Sequence, residues 1–193
     1  MDKEKTIFQR FAGKGLFPPQ MAFTLLIPVR AFTLSPGRLI KRMDLKKDQT
    51  VLEIGPGPGY YSIDVAKALS DGKLYLFDIQ QEMLDHARKR LEKRGQFNVQ
   101  YCRADGATFP FHDKMFDRMF MVTVIGEVEN REAYVREMAR TLKDDGVVSV
   151  SELAGDPDML KVDEVKAILK PAGLECSREY RAMWGYTLNF TKR

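Results

Sequence analysis

Cysteine is nearly absent: Cys102 and Cys176 stand far apart in a chain of 193 residues, in no metal-like spacing. Two such residues support neither a disulfide framework nor a zinc site, and they suit a reducing compartment, so a cytoplasmic location and no metal centre are expected. No secretory leader is legible, because the charged start is not followed by an apolar core and a small-residue cleavage site. A long unbroken apolar run is also missing. The most apolar stretch, Leu16 to Leu34, is broken by Pro18, Pro19 and Pro28 and interrupted by Arg30, whereas a spanning helix needs about 20 predominantly apolar residues. It reads instead as a lid or substrate-pocket wall, with contact to lipid or a plain cover for one sheet face as alternatives. Internal repeats, low-complexity tracts and interdomain linkers are lacking.

What is present is ordinary for a globular chain, with 44% hydrophobic and 30% charged residues, enough for one domain with a full core. The formal net charge of +4 is uneven: residues 1–49 hold ten Lys/Arg against four Asp/Glu, a balance of +6, which leaves −2 for the remainder. Such a segment suits an anionic substrate, RNA or a membrane surface, or is a solvated extension. Residues 1–49 are read as a helical cap or lid segment and residues 50–193 as the main body of a single structural domain. Within the cap, Ser35-Pro36 reads as an N-cap followed by proline at the first helical position.

The chain is organised around Val51-Leu-Glu-Ile-Gly-Pro-Gly-Pro-Gly59. A short apolar run ends in Glu53, glycines follow at 55, 57 and 59, and Ile63, Ala66 and Leu69 then recur at helical spacing. This predicts strand, tight loop and helix, the first turn of a doubly wound α/β sheet where backbone approaches a ligand closely. Lys73–Asp78 reads as a second strand ending in a carboxylate, 19 residues after Gly59. At that strand end two acceptor oxygens can take both hydroxyl protons of a ribose. Residues 80–94 form an amphipathic helix with Met83, Leu84, Ala87 and Leu91 on one face, and His86 falls on its solvent side. Residues 99–104, 116–125 and 147–152 read as further strands, and 131–143 as a helix broken by Asp144-Asp-Gly146. Asp156-Pro157 opens a last helix, and residues 174–181 and 185–191 pair as strands.

Several of these features together resemble one family. Glu53-Ile-Gly-Pro-Gly-Pro-Gly59, Phe77-Asp78-Ile79, Ala104-Asp105-Gly106, Pro110-Phe111 to Phe116-Asp117, and Leu142-Lys-Asp-Asp-Gly146-Val-Val are similar, in order and spacing, to the type 11 branch of class I S-adenosylmethionine-dependent methyltransferases. That branch includes quinone-biosynthesis C-methyltransferases. The resemblance covers about residues 50–155 and implies a seven-stranded, mostly parallel sheet with an antiparallel last strand and helices on both faces. It also implies S-adenosylmethionine as cofactor. Gly55, Gly57 and Gly59 would line its methionine part with Glu53 beneath, and Asp78 would hold the ribose. Ile79 would pack on adenine, Asp105 and Gly106 would meet the adenine edge, and Thr123 would face the sulfonium end.

The implied reaction is an in-line displacement, in which placement of the acceptor supplies much of the catalysis. A base is required only if the acceptor sheds a proton, so no catalytic residue is assigned; Glu127, His112, Tyr60 and Tyr61 are the polar candidates near the mouth. The segment after the fourth strand, Val122-Thr-Val-Ile-Gly-Glu127, lacks the Asn/Asp-Pro-Pro-aromatic motif of base-amino methyltransferases. The expected partner is a small-molecule acceptor, apolar or lipid-like, with peripheral membrane contact allowed and no specific nucleic acid. The rival readings are a non-catalytic cofactor-binding or RNA-associated module, without aromatic residues interleaved with its basic charge, and an NAD-dependent oxidoreductase, whose Gly-x-Gly-x-x-Gly spacing is missing.

Overall fold

The computed structural model describes residues 34–106 and 108–193, so the stretch read as a lid or wall lies outside the described residues except for Leu34. The Ser35 hydroxyl accepts from the Arg38 N–H, and α1 runs Pro36–Arg42 behind that cap. There follow β1 (Thr50–Ile54), α2 (Ser62–Ala68), β2 (Lys73–Asp78), α3 (Gln81–Lys93), β3 (Val99–Arg103), β4 (Phe116–Val122), α4 (Arg131–Thr141), β5 (Leu142–Leu153), α5 (Val162–Leu169), β6 (Leu174–Ala182) and β7 (Gly185–Lys192).

The strands form one seven-stranded sheet in the order β3-β2-β1-β4-β5-β7-β6. Pairs from β3 through β5 are parallel, and β7 runs antiparallel to both β5 and β6. This is the doubly wound sheet that the βα alternation predicts. Alternate residues of the central strands feed two cores, because successive side chains point to opposite faces. On one face Leu52, Ile54, Met119, Met121, Val148 and Val150 meet Val135 and Met138 of α4 and Val165 and Leu169 of α5. On the other, Val51, Leu74, Leu76 and Phe120 meet Leu39 of α1, Val65 of α2 and Leu84, Ala87 and Leu91 of α3. Each such side chain contributes about 1.5–3 kcal/mol by leaving water.

Helix α1 is tied to the sheet. Arg42 Nη1 donates to Thr187 Oγ1 at 2.7 Å, Asn189 Nδ2 to the Arg42 carbonyl at 2.7 Å, and Arg118 Nε to the Met43 carbonyl at 2.9 Å.

Several boundaries differ from the sequence reading, among them the end of the strand read as 116–125, which stops at Val122. The helix read as 131–143 stops at Thr141, and β5 begins at once, with Leu142 paired to Phe116. The register jumps there from Phe116↔Leu142 to Arg118↔Val147. Asp144-Asp145-Gly146 therefore sits in a bulge within β5, held by Lys143 to Asp117 (2.6 Å) and Lys114 to Asp144 (2.7 Å). The last helix starts at Val162 and not at Asp156-Pro157, because Asp156 bends the chain by accepting from the Asp158 N–H. The helix start is set later, where Glu164 Oε2 accepts from the Lys161 N–H at 2.6 Å.

Candidate cofactor and acceptor site

A cleft of about 420 Å3 opens at the carboxyl ends of β1, β2 and β4, lined also by the loops that follow β3 and β5. It lies where connections leave β1 and β4 in opposite directions, the place at which open α/β sheets take ligands. Of the residues singled out above, Glu53, Gly55, Gly57, Asp78, Ile79, Asp105, Gly106, Thr123, Glu127, Tyr60 and Tyr61 line it.

Asp78 ends β2, only 8% exposed. Its Oδ2 accepts from the Gly57 N–H at 3.3 Å and its Oδ1 from the Gln80 N–H at 2.9 Å, so the carboxylate bridges the glycine loop and the start of α3. Burial pushes its pKa up to about 6 against those hydrogen bonds. Glu53 is buried on β1, and its Oε2 accepts from the Ser62 hydroxyl at 2.6 Å. Burial, reinforced by the Asp78 charge and opposed by Ser62, pushes it up to about 8.

The loop between β1 and α2 has positive φ at Gly55 (64°), Gly57 (53°) and Gly59 (78°), backbone that a side chain disfavours. The three glycines differ in use. A Cβ on Gly55 would stand 2.5 Å from Val124 Cγ2, across the cleft floor. Gly59 does not line the cleft: a Cβ there would meet Ala87 Cβ at 3.1 Å, so it serves the contact with α3. Thr123 also has positive φ (55°), uncommon for a β-branched residue and a mark of local strain at the end of β4. Its N–H donates to the Ser151 carbonyl at 2.8 Å, which fixes it in place.

Other candidates fare unevenly. His112 is exposed and away from the cleft, which removes it from the mouth. Tyr61 is buried and spends its hydroxyl on the Leu34 carbonyl at 3.1 Å, while Tyr60 packs edge-on against it. The Asp105 carboxylate accepts from the Thr108 N–H and hydroxyl at 2.8 and 2.7 Å. A clamp of Glu137 and Arg140 on α4 holds this loop: Glu137 Oε2 accepts from the Phe109 N–H at 2.9 Å, and Arg140 donates to the Phe109 and Phe111 carbonyls at 3.0 and 2.9 Å.

Sequence reasoning missed Gln80, Met83, Tyr134, Glu129 and Asp156, all of which line the cleft. Tyr134 lies within the stretch read as a helix over 131–143, and Asp156 beside a proline that read as a helix start. A strand-end position was the one available signal for Glu152, the buried last carboxylate of β5.

Sheet order, glycine loop and strand-end carboxylate define the class I S-adenosylmethionine-dependent methyltransferase domain. Residues 51–146 match the family model described as "Methyltransferase domain" and belong to that class. The chain is similar to "Ubiquinone/menaquinone biosynthesis C-methyltransferase UbiE" of Coxiella burnetii, 29% identical over 160 residues, covering 79% of this chain and 60% of that protein. The Escherichia fergusonii protein of the same name is 32% identical over 124 residues, covering 61% and 49% of the two chains. The chain thus spans about half to 60% of the length of the curated relatives it matches. Among solved structures, a SAM-dependent methyltransferase from Aquifex aeolicus superposes with a TM-score of 0.86 at 25% identity, covering 91% of this chain and 98% of that one.

The cofactor of this class is S-adenosylmethionine, and the residues present fit it. Gly55 and Gly57 put backbone without a side chain at two positions of the loop, and Asp78 offers a carboxylate beside it. Gly106 lies beside the partly exposed Ile79, an added Cβ there coming into contact with Ile79 Cδ1 at 3.4 Å, so the two together form an apolar stretch of the cleft lining. No helix among the described residues is long and apolar enough to cross a membrane.

Proposed function

We propose that the protein transfers a methyl group from S-adenosylmethionine to a carbon of a small acceptor of the quinol type. One observation carries the reading: a single cleft joins a glycine-loop and carboxylate half to a second half built after β4 and β5. The choice of carbon and of a quinol-type ring rests on the names of the relatives above.

In this reading Asp78, already fixed by Gly57 and Gln80, accepts the ribose hydroxyls. Ile79 packs on the adenine, and Gly106 and the Asp105 backbone meet its edge, since that carboxylate is engaged with Thr108. Gly55 and Gly57 line the methionine part, Glu53 lies below, and Gly59 keeps α3 close. Thr123 marks the border with the acceptor half, whose walls include Val122, Val124 and Val128. The bound cofactor supplies a methyl carbon already activated by its sulfonium. The protein's share is alignment, since holding acceptor and methyl in line replaces a bimolecular encounter.

Calorimetric titration with S-adenosylmethionine, S-adenosylhomocysteine and NAD tests the cofactor half. Micromolar affinity for the first two and none for NAD is expected; NAD alone binding would overturn the reading. Labelled-methyl transfer to 1,4-naphthohydroquinone, with the product's new bond located by mass spectrometry, tests the acceptor half.

A further inference from the structure

Tyr134 lines the cleft from the start of α4. The Asn130 side chain caps that helix by accepting from the Ala133 N–H at 3.1 Å. Arg131 ties the same turn to the loop after β4, donating to the carbonyls of Ile125 and Gly126 at 3.1 and 2.7 Å. The Tyr134 ring rests edge-on against Phe109, with ring centroids 4.8 Å apart. Phe109 is held in turn through its backbone by Glu137 and Arg140, further along α4. The phenol is thus fixed from both sides before any ligand arrives.

Its hydroxyl is left over. Tyr134 is 8% exposed, and the hydroxyl makes no hydrogen bond among the described residues, yet it is not sealed from solvent. The opening is to the cleft that the residue lines. Phe77 and Ala104, which share an apolar cluster with Tyr134 and Phe109, line the cleft too, just before Asp78-Ile79 and Asp105-Gly106. That is the end assigned above to adenine. Burial, and next the Asp78 charge, push the phenol's pKa above its ordinary value, so the hydroxyl keeps its hydrogen and stays a donor. A polar group so buried is costly unless a water or a ligand completes it. Adenine offers what is needed, since its ring nitrogens carry in-plane lone pairs and no hydrogen. A donor set in an apolar wall also discriminates, because a base without an acceptor at that point leaves the hydroxyl unpaired.

We propose that Tyr134 is a specificity residue for the cofactor's base: its hydroxyl donates a hydrogen bond to one ring nitrogen of the adenine. The proposal rests on the methyltransferase reading above and adds a polar base contact to it. The Glu137–Arg140 clamp acquires a use thereby, since it sets the Phe109 ring that orients the phenol, and a donor oriented in advance loses little freedom on binding.

The test is calorimetric titration of wild type and Tyr134→Phe with S-adenosylhomocysteine and with its 1-, 3- and 7-deaza analogues, in each of which one ring nitrogen is replaced by C–H. Tyr134→Phe should bind S-adenosylhomocysteine about three- to tenfold more weakly, the loss of one neutral hydrogen bond. One analogue should bind wild type more weakly by a similar factor and be indifferent to the substitution, while the other two lose as much as the parent ligand. A packing role for Tyr134 gives no such coupling between one side-chain atom and one ligand atom. Unchanged affinity of Tyr134→Phe for S-adenosylhomocysteine overturns the proposal, and so does an equal loss for all four ligands. The ligand-free variant should melt at or above the wild-type temperature, because the fold gives the hydroxyl no partner; a drop of several degrees would place its hydrogen bond inside the protein and overturn the proposal as well. If wild type binds NAD and no S-adenosylhomocysteine, the methyltransferase reading fails and the proposal with it, whereas wild-type binding that the substitution leaves untouched removes Tyr134 alone.

Discussion

Asp78 and Glu53 face one cleft and are held in it differently. Asp78 keeps hydrogen bonds from the N–H groups of Gly57 and Gln80, while Glu53 has the Ser62 hydroxyl. If Asp78 receives the ribose, Asp78→Ala removes charge-assisted hydrogen bonds worth about 1.5–3 kcal/mol. Affinity for S-adenosylmethionine should then drop about 10- to 150-fold by calorimetry, with the unfolding transition still cooperative; an unchanged affinity in the folded variant would refute the ribose role. Glu53 makes a different prediction. Its pKa rises from 4.5 to about 8 on folding, so between those values the folded chain holds a proton that the unfolded chain has released. Stability of the cofactor-free protein should therefore fall as pH rises through that window, by at most about 1.4 kcal/mol per pH unit for this group. Below pH 4.5 both states are protonated and above about 8 both are ionised, so the slope ends there. Glu53→Gln should flatten the denaturant midpoint against pH, and an equal slope in the variant would contradict the assignment. Asp78 was legible in the sequence because a strand-end acid beside a glycine loop has few other uses. Asp156 was not: acid-proline is a good helix start, and only in the fold does its side chain accept from the Asp158 N–H and turn the chain before the helix begins.

The glycine loop shows how like residues separate once their neighbours are known. The sequence predicts one role for Gly55, Gly57 and Gly59, yet Gly59 abuts Ala87 on α3 and Gly55 abuts Val124 on the far wall. Gly59→Ala should cost about 1–3 kcal/mol of stability through overpacking and positive φ, read as a lower melting temperature. Its effect on cofactor affinity should be smaller than that of Gly55→Ala, whose new methyl would push Val124 into the cleft. The reverse order would mean that Gly59 also touches the ligand. Element types were legible from period and punctuation: two apolar strands each ending in an acid, an amphipathic α3, and a β6–β7 hairpin. The junction of α4 and β5 was not, because Asp144-Asp-Gly146 is a sound turn signal that here fills a bulge. Nor could periodicity reveal that Arg140 reaches across to the carbonyls of Phe109 and Phe111. Such a clamp joins residues 29 and 31 positions apart, and nothing local in the sequence marks it.

Taken whole, the sheet order places the crevice between β1 and β4, and the chain's two apolar cores lie on opposite faces beneath it. A ligand seated there bridges loops that follow β1, β2, β3, β4 and β5, so it links both cores through segments that otherwise depend on short contacts. Anything that binds the folded chain and not the unfolded one stabilises it by mass action, by about 2.7 kcal/mol at a concentration 100 times Kd. For a domain of this size each kcal/mol moves the melting temperature by about 2–4 °C. Saturating S-adenosylmethionine or S-adenosylhomocysteine should thus raise it by about 5–10 °C, and NAD should leave it unchanged. A shift with NAD and none with the adenosyl ligands would mean that the crevice takes a dinucleotide despite its Gly-x-Gly-x-Gly loop. A shift with S-adenosylhomocysteine that vanishes in Asp78→Ala would instead tie the global stabilisation to the one carboxylate that bridges the glycine loop and α3.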